Sequence, residues 1–502
     1  MFQCTIAGMK ESPKECGRGR IKGFPGTVKG FRLALCMLVI LGFCGGCGPG
    51  DPQGKPGAPV PFPSLSQANS VEDREARMAW LLMTTLESYL NAGHRSPAWD
   101  QPATNALIAF ARTIMGGDYV RTNDPVTLWK AVPEAMEAGC DDPLIQYLYI
   151  RNHLYNVMPD NDYADKWYDV AMALEQSQHH PIRKFYASSR AYQTTWKRKP
   201  LDKPSQRAIY EGGWNSLHHC LTNAATPAEE MHNACTTWIE TISNRNVNDY
   251  FQRRILPNVM RRWSNTVAGQ LVLANFYKGY AWNARGGGFA NEVSKEGWEL
   301  FFDRMRKAEH ILTNIWTQYP GENRVPDLML PVALSLQYER PEMERWFKRA
   351  MALSPNNAMA CRHKLNYLEP KWYGTPGDML AFGRQCVDSE VWGGQVPLIL
   401  LDAHQAIANY EKDPGKRNQY WKSSVVWTDI ERSFEKFFKL NPEAVGWRHN
   451  YALYAYRCGA WKTFLDQVDL MPQINYLYFG GTNEFQQMVV SAQGNLEPEK
   501  VD

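Results

Sequence analysis

From about residue 70 onward, apolar residues return every three or four positions. Met78, Leu81, Leu82, Leu86, Tyr89 and Leu90 mark one such stripe, which Gly93 ends. Ser70 and Asp73 stand before it in the pattern of a capping box. Leu107, Phe110 and Ile114 mark the next, ended by Gly116-Gly117. Asp124-Pro125 and Asp142-Pro143 each read as an N-cap followed by Pro at the first helical position, where its missing N–H costs nothing. Further stripes run through Trp167, Val170, Ala171 and Leu174, then Ile182, Phe185, Tyr192 and Trp196, then Met231, Cys235, Trp238 and Ile242. The longest runs from Trp298 through Phe301, Met305, Ala308 and Leu312 to Ile315. No segment alternates apolar and polar residues with the Val/Ile/Thr enrichment of a strand. The pattern predicts an all-α body of stacked antiparallel helix pairs, separated by single Pro or Gly residues and short polar loops.

In the C-terminal half the helices also share text. Trp346 to Asn357 (WFKRAMALSPNN) and Phe434 to Pro442 (FEKFFKLNP) end alike. Both resemble the second helix of a tetratricopeptide repeat, a helix–turn–helix unit of about 34 residues. The resemblance gives Phe347 and Ala350 the large and small packing positions and makes Pro355 the end of a unit. Phe434 and Pro442 fit likewise, with Phe437 where Ala is usual. Tyr451 and Ala452 stand near the packing pair of a first helix, and Ala308, Leu312 and Pro320 match another second helix. It implies a tetratricopeptide-like α-solenoid, in which each pair buries an apolar face against its neighbour. The spacing from Pro355 to Pro442 predicts an irregular insertion that includes Glu369 to Gly374. The run Trp282 to Trp298, the repeat and the LEPKWYG segment together resemble a group of uncharacterised bacterial exported repeat proteins, which implies no activity.

The first 46 residues differ from the rest. They hold seven basic and two acidic residues, followed by the apolar run Leu33 to Phe43. Eleven residues are too few to span a bilayer, so the run reads as the core of an export signal. Cys44-Gly45-Gly46-Cys47 follows and resembles a bacterial lipoprotein signal, with Cys44 where Leu, Val or Ile is usual. That resemblance implies lipidation of Cys47 and anchorage to a membrane of the cell envelope. Residues 47–66 are a Pro/Gly-rich tether. Residues 67–290 form an N-terminal helical-pair region, 291–493 the tetratricopeptide-like region, and 494–502 a polar tail.

Composition then changes meaning. The whole chain has 55 basic and 52 acidic residues, a net of +3. Without residues 1–46 it has 48 and 50, a net of −2. The basicity belongs to the leader, and a near-neutral body is not a polybasic nucleic-acid binder. With 44% hydrophobic and 12% aromatic residues, it has enough apolar side chains for a core.

Candidate chemistry is sparse. Arg285-Gly286-Gly287-Gly288 lacks the following Lys-Ser/Thr and preceding strand of a phosphate loop. It reads either as an interhelical loop or as a binding loop that presents Arg285 beside Trp282. His219, Cys220, His232 and Cys235 flank the Thr226-Pro227 turn. Three readings stand: core thiols, a Cys220–Cys235 disulfide, or a zinc site. Cys361 and Cys386 lie evenly about the Trp372-Tyr373-Gly374 turn and suit a second hairpin bridge. No catalytic motif occurs and no cofactor is implied. The expectation is an exported helical-repeat protein that binds a protein or peptide partner. An enzyme or metal-binding protein using residues 285–288 or 218–235 is the alternative.

Overall fold

The computed structural model describes residues 64–66, 71–116, 119, 121, 124–154, 160–198, 202–242, 251–442, 444–471 and 474–496. The chain divides into residues 1–61 and 62–502. The export signal, Cys47, nearly all of the tether, the Ser70 cap and the end of the tail lie outside the described residues.

The body is an all-α, solenoid-like stack of helix pairs. The N-terminal half comprises α1 (Val71–Leu82), α2 (Ser88–Ala92), α3 (Asp100–Met115), α4 (Asp124–Glu137), α5 (Pro143–Tyr149), α6 (Asp160–Gln176), α7 (Pro181–Arg198), α8 (Lys203–Thr222) and α9 (Ala228–Ile242). Then come α10 (Leu256–Trp263), α11 (Val267–Arg285), α12 (Lys295–Gln318), α13 (Arg324–Ser335), α14 (Arg340–Leu353), α15 (Ala358–Tyr367) and α16 (Pro376–Asp388). The end is built from α17 (Ile399–Tyr410), α18 (Pro414–Trp421), α19 (Ser424–Leu440), α20 (Arg448–Cys458), α21 (Trp461–Asp469) and α22 (Thr482–Gly494). Among the described residues the only extended pairing is a parallel bridge between Ser66 and Thr266. No described helix is long and apolar enough to cross a membrane.

Local chemistry sets the helix ends. The Asp142 carboxylate accepts from the Leu144 and Ile145 N–H groups, and Pro143 opens α5. Thr375 and Asp378 form a reciprocal capping box at the start of α16. Gly459 ends α20 at φ 81°, a left-handed conformation that suits glycine. The repeat-like packing residues are buried: Phe347 and Ala350, Phe434 and Phe437, Tyr451 and Ala452. Phe437 fills the usual small-residue position by packing edge-on against Trp447, with ring centroids 5.4 Å apart.

The span between Pro355 and Pro442 holds a turn and a short extra helix. Glu369 to Gly374 forms a compact turn between α15 and α16, closed by Tyr367 stacked on Tyr373 at 4.7 Å. The element that interrupts the pairing is the short helix α18, placed between α17 and α19.

Stacking is unequal on the two sides. α7, α9, α11, α13, α15 and α17 each pack on the next member of that series. The intervening helices α12, α14 and α16 do not pack on one another to the same extent. A stack tight along one row and open along the other bends toward the tight row. The apolar core passes from helix to helix in the same order. One cluster joins Leu271 and Ala281 on α11 to Phe301 on α12, Met329 on α13 and Ala403 on α17.

Candidate functional site

The glycine loop is built around Arg285. Its Nη1 donates to the carbonyls of Gly286 at 3.1 Å and Gly288 at 3.0 Å. Its guanidinium lies 5.6 Å from the Trp282 ring centre and 5.3 Å from that of Trp298. Two indole faces and two carbonyls thus hold the cation the sequence suggested as a presented ligand contact. Arg285 works as a clasp that shapes the loop, and its tip is Phe289, 79% exposed.

The cysteine–histidine hairpin forms between α8 and α9, yet its residues do not converge as a metal site. Cys220 and Cys235 are buried, while His219 is exposed on the opposite face. His232 sits by Arg324, Glu229 and Glu322, and burial, reinforced by the Arg324 charge, pushes its pKa down to about 4. Among the described residues no three His, Cys, Asp or Glu side chains form a group able to hold a metal ion. All six described cysteines are buried thiols. Burial pushes the Cys220 thiol up to about 12, so it is a poor nucleophile.

Two His–Asp relays escaped sequence inspection because their members are far apart in the chain. Asp142 Oδ2 lies 3.1 Å from His179 Nε2, and His179 Nδ1 lies 3.1 Å from Ser88 Oγ. The order resembles a serine nucleophile relay, but every group is spent on structure. Asp142 favours the proton on His179 Nε2, so the Ser88 hydroxyl donates to Nδ1, while Ser88 Oγ accepts from the His180 N–H. Asp142 also caps α5 and accepts from the His94 N–H. The second relay runs from Asp429 Oδ2 to His404 Nε2 at 3.1 Å and from His404 Nδ1 to Tyr420 Oη at 2.7 Å. Arg384 closes it with a two-pronged contact to Asp429 at 2.8–3.1 Å. Burial alone would raise the Asp429 carboxyl, but the His404 and Arg384 hydrogen bonds bring it down to about 2. Both relays fasten non-adjacent helices.

A cleft of about 730 Å³ opens between α1, the Ala224–Pro227 turn and residues 321–324. Its charges are largely matched. Arg77 pairs with Glu230 at 2.6 Å, and Arg324 with Glu229 and Glu322, each at 2.6 Å.

A series of polar residues lies on the tight row of helices. It comprises Arg190 on α7, Glu240 on α9, Lys278 on α11, Asp327 on α13, Arg362 and His363 on α15, and Asp402 and Gln405 on α17. Neighbouring members interact from helix to helix. Glu240 feels the charges of Lys278 and Arg190, and His363 feels that of Lys278. Arg362 Nε donates to Asp402 at 2.9 Å, and Gln405 accepts from Arg457 on α20 at 3.1 Å. Asn357 donates to Asp327 at 2.7 Å.

Glu240, Lys278, Asp327, His363 and Asp402 touch solvent, yet burial is the first cause acting on the charge of each. The side chains of Arg362 and Asp402 are 26% and 37% exposed. Burial nevertheless raises the Asp402 carboxyl against the pull of Arg362. Burial lowers the Lys278 ammonium to about 8, with Glu240 opposing, and lowers His363 to about 4. Asp327 rises to about 6 despite its Asn357 hydrogen bond. Partial solvent access together with desolvation fits side chains set in among the packed helices of this row. Sequence periodicity marks each apolar stripe, but it does not say which polar residues of different helices line one wall.

No known family's sequence pattern and no curated protein matches the chain.

Proposed function

We propose that the chain is an exported helical-repeat protein, anchored to a membrane of the cell envelope through lipid on Cys47, that binds a protein or peptide partner along the α7–α17 wall. The observation that carries this reading is the row of partly solvated polar groups, each acted on by desolvation, on five successive helices of one row, α9 to α17. An extended chain laid across that row would meet Glu240, Lys278, Asp327, His363 and Asp402 in turn. It would displace water that already solvates them poorly, so the desolvation cost of binding is low. A wall of preformed helices also loses little conformational freedom on docking. The alternation of charge along it favours a partner with both signs over a polyanion.

Two experiments test the two parts. A photo-crosslinking residue at Met359, which lies one helical turn from Arg362 and His363, should trap the same partner as one at Gln405. The exposed Val490 on α22 serves as control. Loss of the adduct with Lys278→Glu or Asp402→Lys would support the wall, whereas equal trapping from position 490 would refute it. For the anchor, metabolic labelling with an alkyne fatty acid should mark the wild type and not Cys47→Ser. Unchanged labelling of the variant would remove the lipid from the proposal.

A further inference from the structure

Three sulfur-bearing side chains, Met351, Cys361 and Cys386, are buried in the core between α14, α15 and α16. Cys361 Sγ lies 3.7 Å from Met351 Sδ, and Cys386 stands close enough to Cys361 for the two thiols to act on one another's charge. All three side chains are at least 96% buried. Met351 also lines a second cavity of about 330 Å³ with Phe347, Pro355, Val391 and Trp392. Val391 at that cavity is 75% exposed, so the notch opens to solvent and reaches the sulfur cluster through Met351.

We propose that Cys361, Cys386 and Met351 form a three-sulfur site for a soft monovalent metal ion, Cu(I). Thiolate and thioether sulfur are soft donors that select Cu(I) over harder cations. A tetrahedral zinc site would need a fourth Cys, His or carboxylate, and no such group surrounds these cysteines among the described residues. The Cys361–Met351 spacing also fits. Three sulfurs about 2.3 Å from a central ion in a trigonal arrangement stand about 4.0 Å apart. The 3.7 Å Cys361–Met351 separation lies within a few tenths of an ångström of that. On binding, Cys361 and Cys386 each lose a proton to solvent and form metal–thiolate bonds, while Met351 donates a lone pair. The ion brings one positive charge against two thiolates. The remaining charge faces the ammonium of Lys364, which acts on Cys386 and is shared with Glu344 at 2.8 Å. Lys364 is itself held over the Phe347 and Phe382 rings at 4.3 and 4.4 Å. Two protons released per ion make uptake pH-dependent, more so because burial raises the Cys386 thiol.

The molecule contains its own control. Cys235 Sγ lies 3.8 Å from Met231 Sδ, with Cys220 nearby, but neither cavity described above is lined by these residues. Cysteine and methionine at that place are core packing.

The test is anaerobic titration of the reduced, full-length protein with Cu(I) in competition with bicinchoninate, followed by native mass spectrometry and copper X-ray absorption. One copper per chain with sulfur-only ligation near 2.3 Å is expected. Cys361→Ser and Cys386→Ser should abolish it. Met351→Leu, which keeps the volume and apolarity of the core, should weaken it about tenfold or more. Cys220→Ser and Cys235→Ser should leave it unchanged. No copper withdrawn from the competitor by the wild type, copper retained by Cys361→Ser, or copper lost with the Cys220 and Cys235 variants would each overturn the proposal. Circular dichroism of each variant separates loss of the site from loss of the fold.

Discussion

Replacing Lys278 with Met should make the protein more stable at neutral pH. The ammonium of Lys278 is lowered from 10.5 to about 8, chiefly by desolvation, with Glu240 opposing. At about 1.4 kcal/mol per unit that shift corresponds to roughly 3 kcal/mol against the charged form. Lys278 keeps some solvent contact, so about 1–2 kcal/mol is the expected gain. The sign follows from proton counting. Between pH 8 and 10.5 the unfolded chain still binds the Lys278 proton and the folded chain does not. Wild-type stability from this group therefore rises with pH across that window. The advantage of Lys278→Met should be full below pH 8 and fade as pH approaches 10.5. Paired urea unfolding curves of wild type and variant at pH 7, 8, 9 and 10, followed by tryptophan fluorescence, measure it directly. The His363 imidazole, observed by NMR, should also titrate at higher pH in the variant, because one cause of its low value is gone. A variant less stable than wild type at pH 7, or a difference flat in pH, would refute the claim that burial desolvates Lys278.

Asp429→Ala should cost about 2–3 kcal/mol, because it leaves the buried His404 and the partly solvated Arg384 without their common acceptor. In the wild type, the roughly 2 kcal/mol associated with the depressed Asp429 carboxyl is present above pH 3.8 and lost as pH falls through about 2, which acid unfolding of wild type against Asp429→Asn would reveal. Gly383→Ala should destabilise the α16–α17 crossing by about 1–2 kcal/mol, since the added Cβ would stand 2.9 Å from Leu400 Cα, and backbone cannot swing aside. Thermal unfolding checks it, and an unchanged melting temperature would contradict so close an approach. Phe289→Ser should leave the melting temperature unchanged, whereas Arg285→Ala should speed amide hydrogen exchange at residues 286–292 by freeing the loop from its clasp.

Much of this architecture could be read from the chain. Helix existence is a local matter: apolar residues at 3.6-residue spacing and Asp-Pro starts act within a turn or two. Hence α5 begins where Asp142-Pro143 predicted, and the packing residues of the repeat text are all buried. What the chain hid was long-range. The relays join residues 37 and 91 positions apart in one case, 25 and 16 in the other. No periodicity links such positions.

The sequence by itself determined the helices, their pairing order and the uneven placement of charge between leader and body, because each depends on neighbours along the chain. Only the tertiary structure decided how the polar residues are used. Arg285 and Lys278 are both cations on the same helix α11. Stacking turns Arg285 onto two indoles and its own loop, where it is satisfied. The same stacking sets Lys278 beside Glu240 and His363, where water is scarce. Dielectric surroundings belong to the packed helices, and no single stretch of chain encodes them.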